Sequence, residues 1–190
     1  MTASFDTAVA EWVAQHRFGP IDGFFVALGT VEKLGAIWIA CSLVLGIASR
    51  RGFTWTAALV VLTAVTTFVA DSVSFGIKDF THRPRPFVAH PQIHPLYVVH
   101  SSSFPAGHAA TAFAGATLLT YVAPRLWPLF VGLATAVSFS RVYVGVHYPT
   151  DVLAGAAIGV GIGALGIAAL MLLERWNPHS SVTPRRAAPA

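Results

Sequence analysis

Charge is scarce in this chain. Only 11% of its 190 residues are Asp, Glu, Lys or Arg, against roughly a quarter in an average water-soluble domain. With 55% of the residues hydrophobic, there is too little polar surface to face water on every side, and lipid is the expected solvent. Cysteine is nearly absent: Cys41 stands alone, which excludes an internal disulfide, and its apolar neighbours make it a small core or lipid-facing residue. The basic excess, 12 Lys and Arg against 8 Asp and Glu, forms no dense patch or stripe, so nucleic acid is not an expected partner. The first residues have no basic stretch, apolar run and small-residue cleavage site of the kind that marks a secretory signal. Membrane insertion is therefore expected to rely on the spans themselves.

What is present is apolar helix punctuated by turns. One domain, residues 1–176, is expected at this length. Phe5, Val9, Trp12 and Val13 recur at helical spacing among Asp6, Glu11, Gln15 and Arg17. That predicts an amphipathic helix within residues 1–18 lying at the membrane interface with Trp12 as its anchor. Ile21–Val31 is too short for a span, which needs about 20 residues, so a partial or tilted helix is expected there. A turn at Glu32-Lys33-Leu34-Gly35 and a span over Leu34–Ser49 follow. Helices are predicted over Phe53–Lys78, Ala106–Val122 and Leu126–Val146. A last one begins at Pro149, where the missing N–H of a first-turn proline is harmless, and runs to about Trp176. Residues 79–105 read as a polar loop with four prolines before its end, and 177–190 as a disordered cytoplasmic tail. The fold class is all-α, a multi-pass transmembrane bundle of about six helices. Gly155, Gly159 and Gly163 repeat every four residues and predict close helix packing inside it.

Arg50, Arg51, Arg125, Arg175, Arg185 and Arg186 fall at one set of helix ends, which by the positive-inside tendency are cytoplasmic. Lys78, His108, His147 and Asp151 then fall at the extracytoplasmic ends, the polar site of a plasma-membrane protein. Basic residues on that side need a reason of their own, and phosphate supplies one.

Three polar clusters carry the chemistry. In the first, Lys78 and the proline-braced Arg85-Pro86 offer an ammonium and a bidentate guanidinium to a tetrahedral oxyanion; snorkelling of Lys78 and Arg83 to headgroups is the plain alternative, and Arg83 reads as loop charge. In the second, Pro105-Ala106-Gly107-His108 opens a helix, whose free amides and dipole form an anion site. Gly107 permits close backbone approach, and His108 can protonate a leaving oxygen or serve structurally. In the third, His147 and Asp151 stand at i, i+4, so the carboxylate can orient one ring nitrogen and leave the other as nucleophile or base. Arg141, buried in a bundle, needs an anion; pairing with Asp151 is the non-catalytic alternative. Asp71, inside a span, reads as a brace for Lys78 or as a partner of nearby hydroxyls. His82, His90, His94 and His100 match no tetrahedral ligand spacing, so no metal and no cofactor are expected, and a solvated lid loop is the better reading.

Lys78-x6-Arg85-Pro86, Pro105-Ala106-Gly107-His108 and Ser140-Arg141-x5-His147-x3-Asp151 resemble, in order and spacing, the three signatures of the type 2 phosphatidic acid phosphatase family, shared with vanadium haloperoxidases. The resemblance implies a six-helix membrane fold and metal-independent dephosphorylation through a phosphohistidine. His147 would attack phosphorus, oriented by Asp151, and His108 would serve the leaving group and then water. Lys78, Arg85, Arg141 and the backbone at Ala106 and Gly107 would hold the phosphate oxygens. The family's serine in the second signature is Ala106 here, so Ser101, Ser102 or Ser103 would have to replace its hydroxyl, or activity would be reduced. Arg83-Pro-Arg-Pro-Phe87-Val, His90-Pro91, His94 and His100 ahead of Ser103-Phe-Pro further resemble the undecaprenyl-diphosphatase branch, although that branch often has Asp where Gly107 stands. A lipid phosphate or polyprenyl diphosphate is thus the implied substrate, with phosphatidylglycerol phosphate and phosphatidic acid as alternatives. A haloperoxidase is disfavoured by the apolar chain; a catalytically weakened binding or transport protein is the remaining alternative.

Overall fold

The computed structural model describes residues 4–176, and every described regular element is a helix. Ser4 caps α1 (Phe5–Gln15) by accepting the Thr7 amide at 3.3 Å. Gly19-Pro20 turns the chain into α2 (Asp22–Val31), and a bend of 56° separates that helix from α3 (Ala36–Ala48). Leu34 (φ 57°) and Gly35 (φ 76°) make the bend in left-handed backbone. Glycine is required at the second position twice over, since a Cβ there would also meet Thr67 at 2.6 Å. After Gly52 come α4 (Phe53–Thr81), the single turn α5 (Pro86–Ala89), α6 (Gly107–Val122), α7 (Trp127–Tyr143) and α8 (Pro149–Trp176).

The bundle has α6 at its centre. Ala109, Ala110, Ala112, Ala114, Leu118 and Leu119 are wholly buried, and α8 packs on α6 so closely that a Cβ at Gly155, Gly159 or Gly163 would strike the α6 backbone or Thr117. The four-residue glycine repeat thus packs two helices of one chain. Trp38, Leu59, Leu119, Phe130 and Val137 fill the middle. Outside, α4 presents Val61, Val65, Phe68 and Phe75, and α8 presents Leu153, Val160, Leu165 and Leu172, all exposed. Large apolar side chains outside, with Thr63, Thr66 and Ser74 returning their hydroxyls to the carbonyls of Leu59, Leu62 and Ala70, suit lipid better than water. Phe53–Ala89, Pro124–Tyr143 and Pro149–Arg175 are long and apolar enough to cross a membrane, and the bent α2–α3 pair makes a fourth. Counting α2, α3, α4, α6, α7 and α8 gives the expected six bundle helices.

Several points depart from expectation, the end of α4 among them, which runs past Lys78 to Thr81. The α7 helix ends at Tyr143 rather than Val146, because Gly145 at φ 82° breaks it and frees His147 from helical geometry. The first helix does not merely lie at an interface. Its Phe5 and Trp12 are exposed, but Asp6, Ala10 and Val13 are buried against the bundle. The tail predicted over 177–190 lies outside the described residues. Arg51 approaches Glu174 at 4.0 Å, gathering the ends of α3 and α8 opposite the polar clusters.

Candidate active site

Each polar cluster sits where a helix starts or stops. Lys78 is in the last turn of α4, Arg85 caps α5, Ala106 caps α6, Arg141 ends α7, and Asp151 is in the first turn of α8. The second and third clusters are joined directly, because the Ala106 amide donates to the Asp151 carbonyl at 2.9 Å. Lys78 donates to the carbonyls of Ser102 (3.0 Å), Ser103 and Pro105. Arg85, 4% exposed, donates to the carbonyls of Val146 (2.7 Å) and Ser101 (2.7 Å) and reaches Nε2 of His147 at 3.4 Å. Arg141, 1% exposed, donates to the Tyr97 hydroxyl, the Ser140 hydroxyl (2.9 Å) and the Phe25 carbonyl (3.2 Å). Neutral oxygens therefore hold all three cations, and no carboxylate cancels them directly.

Guanidinium can only donate, so Nε2 of His147 faces Arg85 with its lone pair and Nδ1 carries the proton towards Asp151. Nδ1 lies 3.5 Å from Oδ2 of Asp151, long for a hydrogen bond, and is otherwise unpartnered. Oδ2 is already occupied by the Ser103 hydroxyl and the Tyr148 amide (2.8 Å), and Oδ1 by Arg83. Asp151 is thus fixed from the carboxylate side, in reach of the ring. Burial pushes the His147 imidazole down to about 3, against the upward pull of Asp151. A neutral buried imidazole is the nucleophilic form.

That low value also fixes how acid acts on the fold. Unfolding at low pH releases His147 to take up a proton near its ordinary value of about 6.5. Its stabilising contribution is whole above that pH and is lost as pH falls towards about 3. His147→Gln, which takes up no such proton, is expected to flatten the fall of melting temperature across that window. Equal slopes in both proteins would contradict a neutral, buried His147.

His108 sits in the first turn of α6, its Nε2 3.1 Å from the Gly29 carbonyl of α2. That carbonyl makes Nε2 the protonated nitrogen and leaves Nδ1 for chemistry. Lys78, Arg85 and Arg141 all act electrostatically on His108, and Lys78 and Arg85 on His147. The three cations and two histidines therefore share one field.

Several expectations need correction. The amide of Ala106 is spent on Asp151 and its side chain is 0% exposed. It is therefore a cap rather than a phosphate ligand, and the helix-start amides that remain are those of Gly107 and His108. Asp71 acts on Lys78 through charge but makes no hydrogen bond to it, the Lys78 donors going to carbonyls; its carboxylate lies 3.0 Å from where a Cβ on Gly107 would stand. Arg141 does not pair with Asp151. Arg83 is no loop charge: it bridges Asp151 and Asp6 and lies over the Tyr148 ring at 4.2 Å. His90 is not simply solvated, because it lies 3.7 Å from Glu11 of α1. Of the three serines offered in place of a hydroxyl at 106, Ser103 serves Asp151 and Ser101 accepts from Arg85 at 3.0 Å. Among the described residues, no three His, Cys, Asp or Glu gather as a metal site.

Sequence reading also missed Asp6, Tyr97, Gly29 and Glu32. Glu32, set in the α2–α3 bend, is wholly buried and accepts from the Trp38 indole (2.9 Å) and the Thr111 hydroxyl (3.1 Å).

The pattern of the PAP2 superfamily matches residues 55–175. An undecaprenyl-diphosphatase of Sulfolobus acidocaldarius is 30% identical over 86% of this chain and 77% of its own length. The undecaprenyl-diphosphatase BcrC of Bacillus subtilis is 38% identical over 49% of this chain, a match spanning 48% of that relative. Among solved structures, the transmembrane PAP2-type phosphatidylglycerolphosphate phosphatase of Bacillus subtilis superposes with a TM-score of 0.69, covering 90% of this chain and 87% of its own at 22% identity. Aquifex aeolicus LpxE does so with a TM-score of 0.73, covering 87% and 96% at 23% identity. A match over more than half of the chain, on a bundle of the same fold, makes this protein a member of the PAP2 superfamily.

Proposed function

We propose that this membrane phosphatase removes the terminal phosphate of a polyprenyl diphosphate, without a metal, through a phosphohistidine on His147. The observation that carries the reading is the setting of His147: buried, neutral, Nε2 towards Arg85 and Nδ1 towards Asp151. In the first step the Nε2 lone pair of His147 forms a bond to phosphorus, the phosphorus–oxygen bond to the lipid phosphate breaks, and His108, entering the step protonated at Nδ1 as well as Nε2, gives the departing oxygen its Nδ1 proton. Asp151 stabilises the positive charge that His147 gains. In the second step His108 takes a proton from water, the oxygen attacks phosphorus, and the phosphorus–nitrogen bond breaks to free orthophosphate. Lys78, Arg85, Arg141 and the Gly107 amide stabilise the equatorial oxygens, where charge gathers in the transition state.

Substrate class rests on the relatives' names and on shape. A cavity of about 310 Å³ with both polar and apolar lining, Arg85, Ser101, Phe87 and Val88 among it, opens at the loop end of the bundle. An apolar groove of about 430 Å³, lined in part by Val9, Val13, Phe139, Val142 and Leu153, runs beside the same end. Together they suit a phosphorylated headgroup on a long apolar tail. The gathering of Arg50, Arg51, Arg125 and Arg175 at the opposite helix ends supports a site on the extracytoplasmic face of a plasma membrane.

Phosphate release by the purified full chain, measured in detergent with a chelator present, tests the proposal. Polyprenyl diphosphate is expected to be turned over faster than phosphatidic acid or phosphatidylglycerol phosphate. A reversed order reassigns the substrate, and no release from any of them leaves a binding or transport protein. Ala106→Ser adds a capping hydroxyl at the start of α6, worth about 1 kcal/mol, and is expected to raise the melting temperature and to raise or leave unchanged kcat. A clear fall in kcat or in melting temperature would show that the start of α6 has no room for a capping hydroxyl at position 106.

A further inference from the structure

The buried face of α1 carries one ionisable residue into the site region. Asp6 is 8% exposed, although Phe5 beside it is 78% exposed. Its Oδ1 accepts the Thr150 amide at 3.0 Å, and its Oδ2 accepts both the Thr150 hydroxyl and Nη2 of Arg83. The Thr150 amide belongs to the first turn of α8 and has no partner within that helix. Asp6 thus supplies, from another helix, the cap that α8 does not make for itself.

The same carboxylate shares Arg83 with Asp151. One arm of the guanidinium goes to Asp6 and the other to Oδ1 of Asp151, while the plane rests over Tyr148 at 4.2 Å. Asp151 is then held at three points: Arg83 at Oδ1, and Ser103 and the Tyr148 amide at Oδ2. An arginine given to Asp151 alone would pair with it bidentately and turn it from His147. Divided between two carboxylates, it fixes one oxygen and leaves the other facing the ring.

We infer that Asp6 and Arg83 are positioning residues for the Asp151–His147 pair, and that α1 is therefore a working part of the site. The inference rests on the reading of His147 as nucleophile. Neither residue is assigned contact with the substrate; both act through Asp151. Partners of this kind commonly contribute about 10- to 100-fold to the activity of the residue they orient.

Asp6→Asn and Arg83→Gln keep hydrogen-bonding shape and remove charge. Each is expected to lower kcat about 10- to 100-fold with KM within about twofold of wild type. The double variant should fall no further than the worse single, because both act at one point. Asp6→Glu, which restores the charge, is expected to recover most of kcat, and melting temperatures identify any variant that has lost its fold. Wild-type kcat in Asp6→Asn, or losses that multiply in the double variant, would overturn the inference. A raised KM in Arg83→Gln with Asp6→Asn unaffected would instead make Arg83 a substrate ligand. The ring nitrogen resonances of His147 test the coupling without turnover. Both charge-removing variants are expected to shift them, and unchanged resonances overturn the inference even in a chain that releases no phosphate.

Discussion

His147→Ala is expected to abolish phosphate release while leaving the chain folded. The loss should be on the order of 10⁴-fold or more, as for removal of the nucleophile in other covalent mechanisms. The fold should survive because Asp151, the charge most exposed to harm, keeps Arg83, Ser103 and the Tyr148 amide after the ring is gone. An unpaired buried carboxylate would be costly; this one stays paired. Single-turnover release and the melting temperature, measured side by side, check both halves. Release above about one hundredth of wild type, with the fold intact, would place the nucleophile elsewhere.

Gly29→Ala should be the most damaging change outside the three signatures. A Cβ on Gly29 would fall inside the Arg141 guanidinium, which is buried and held by Tyr97, Ser140 and Phe25. Overpacking at such a place costs about 1–3 kcal/mol, but the larger effect is on the reaction. Displacing one cation from the phosphate oxygens is expected to lower kcat/KM about 10²- to 10³-fold. The Gly29 carbonyl also orients His108, so a shift of α2 disturbs the acid as well as the clamp. Gly23 on the same helix is the control: a Cβ there meets nothing within 4 Å, and Gly23→Ala should retain activity. If Gly29→Ala keeps near-wild-type kcat/KM, Arg141 does not need its observed position.

Much of this was legible in the chain. Pro149, Gly19-Pro20 and Gly35 announced helix limits through fixed local geometry, and the spacing of Lys78, Arg85, His108, Arg141, His147 and Asp151 pointed to one candidate site. What could not be read was what each side chain touches across the bundle. Arg83 and Asp151 are 68 residues apart, and Asp6 and Thr150 are 144 apart; no local pattern couples them. Glu32 stood in a run with Lys33 and looked like an ordinary polar turn, yet the bend turns it inwards to Trp38 and Thr111. Ala106 misled for a related reason: its amide looked available until the start of α8 came to lie beside it.

The carbonyl oxygens around Lys78, Arg85 and Arg141 bear on discrimination among lipids. A dipole steers a cation without neutralising it, whereas a carboxylate would do both. Asp151, Asp71 and Glu32 act on these cations only through space, so much of the pocket's demand for negative charge is kept. Phosphodiester headgroups, which crowd any bilayer, carry a single charge on phosphorus, while a terminal phosphate carries about −1.5 to −2 near neutral pH. An enzyme bathed in diesters is in this way tuned to the rare chain end that bears the second charge, and the lipid that surrounds it is a poor competitor.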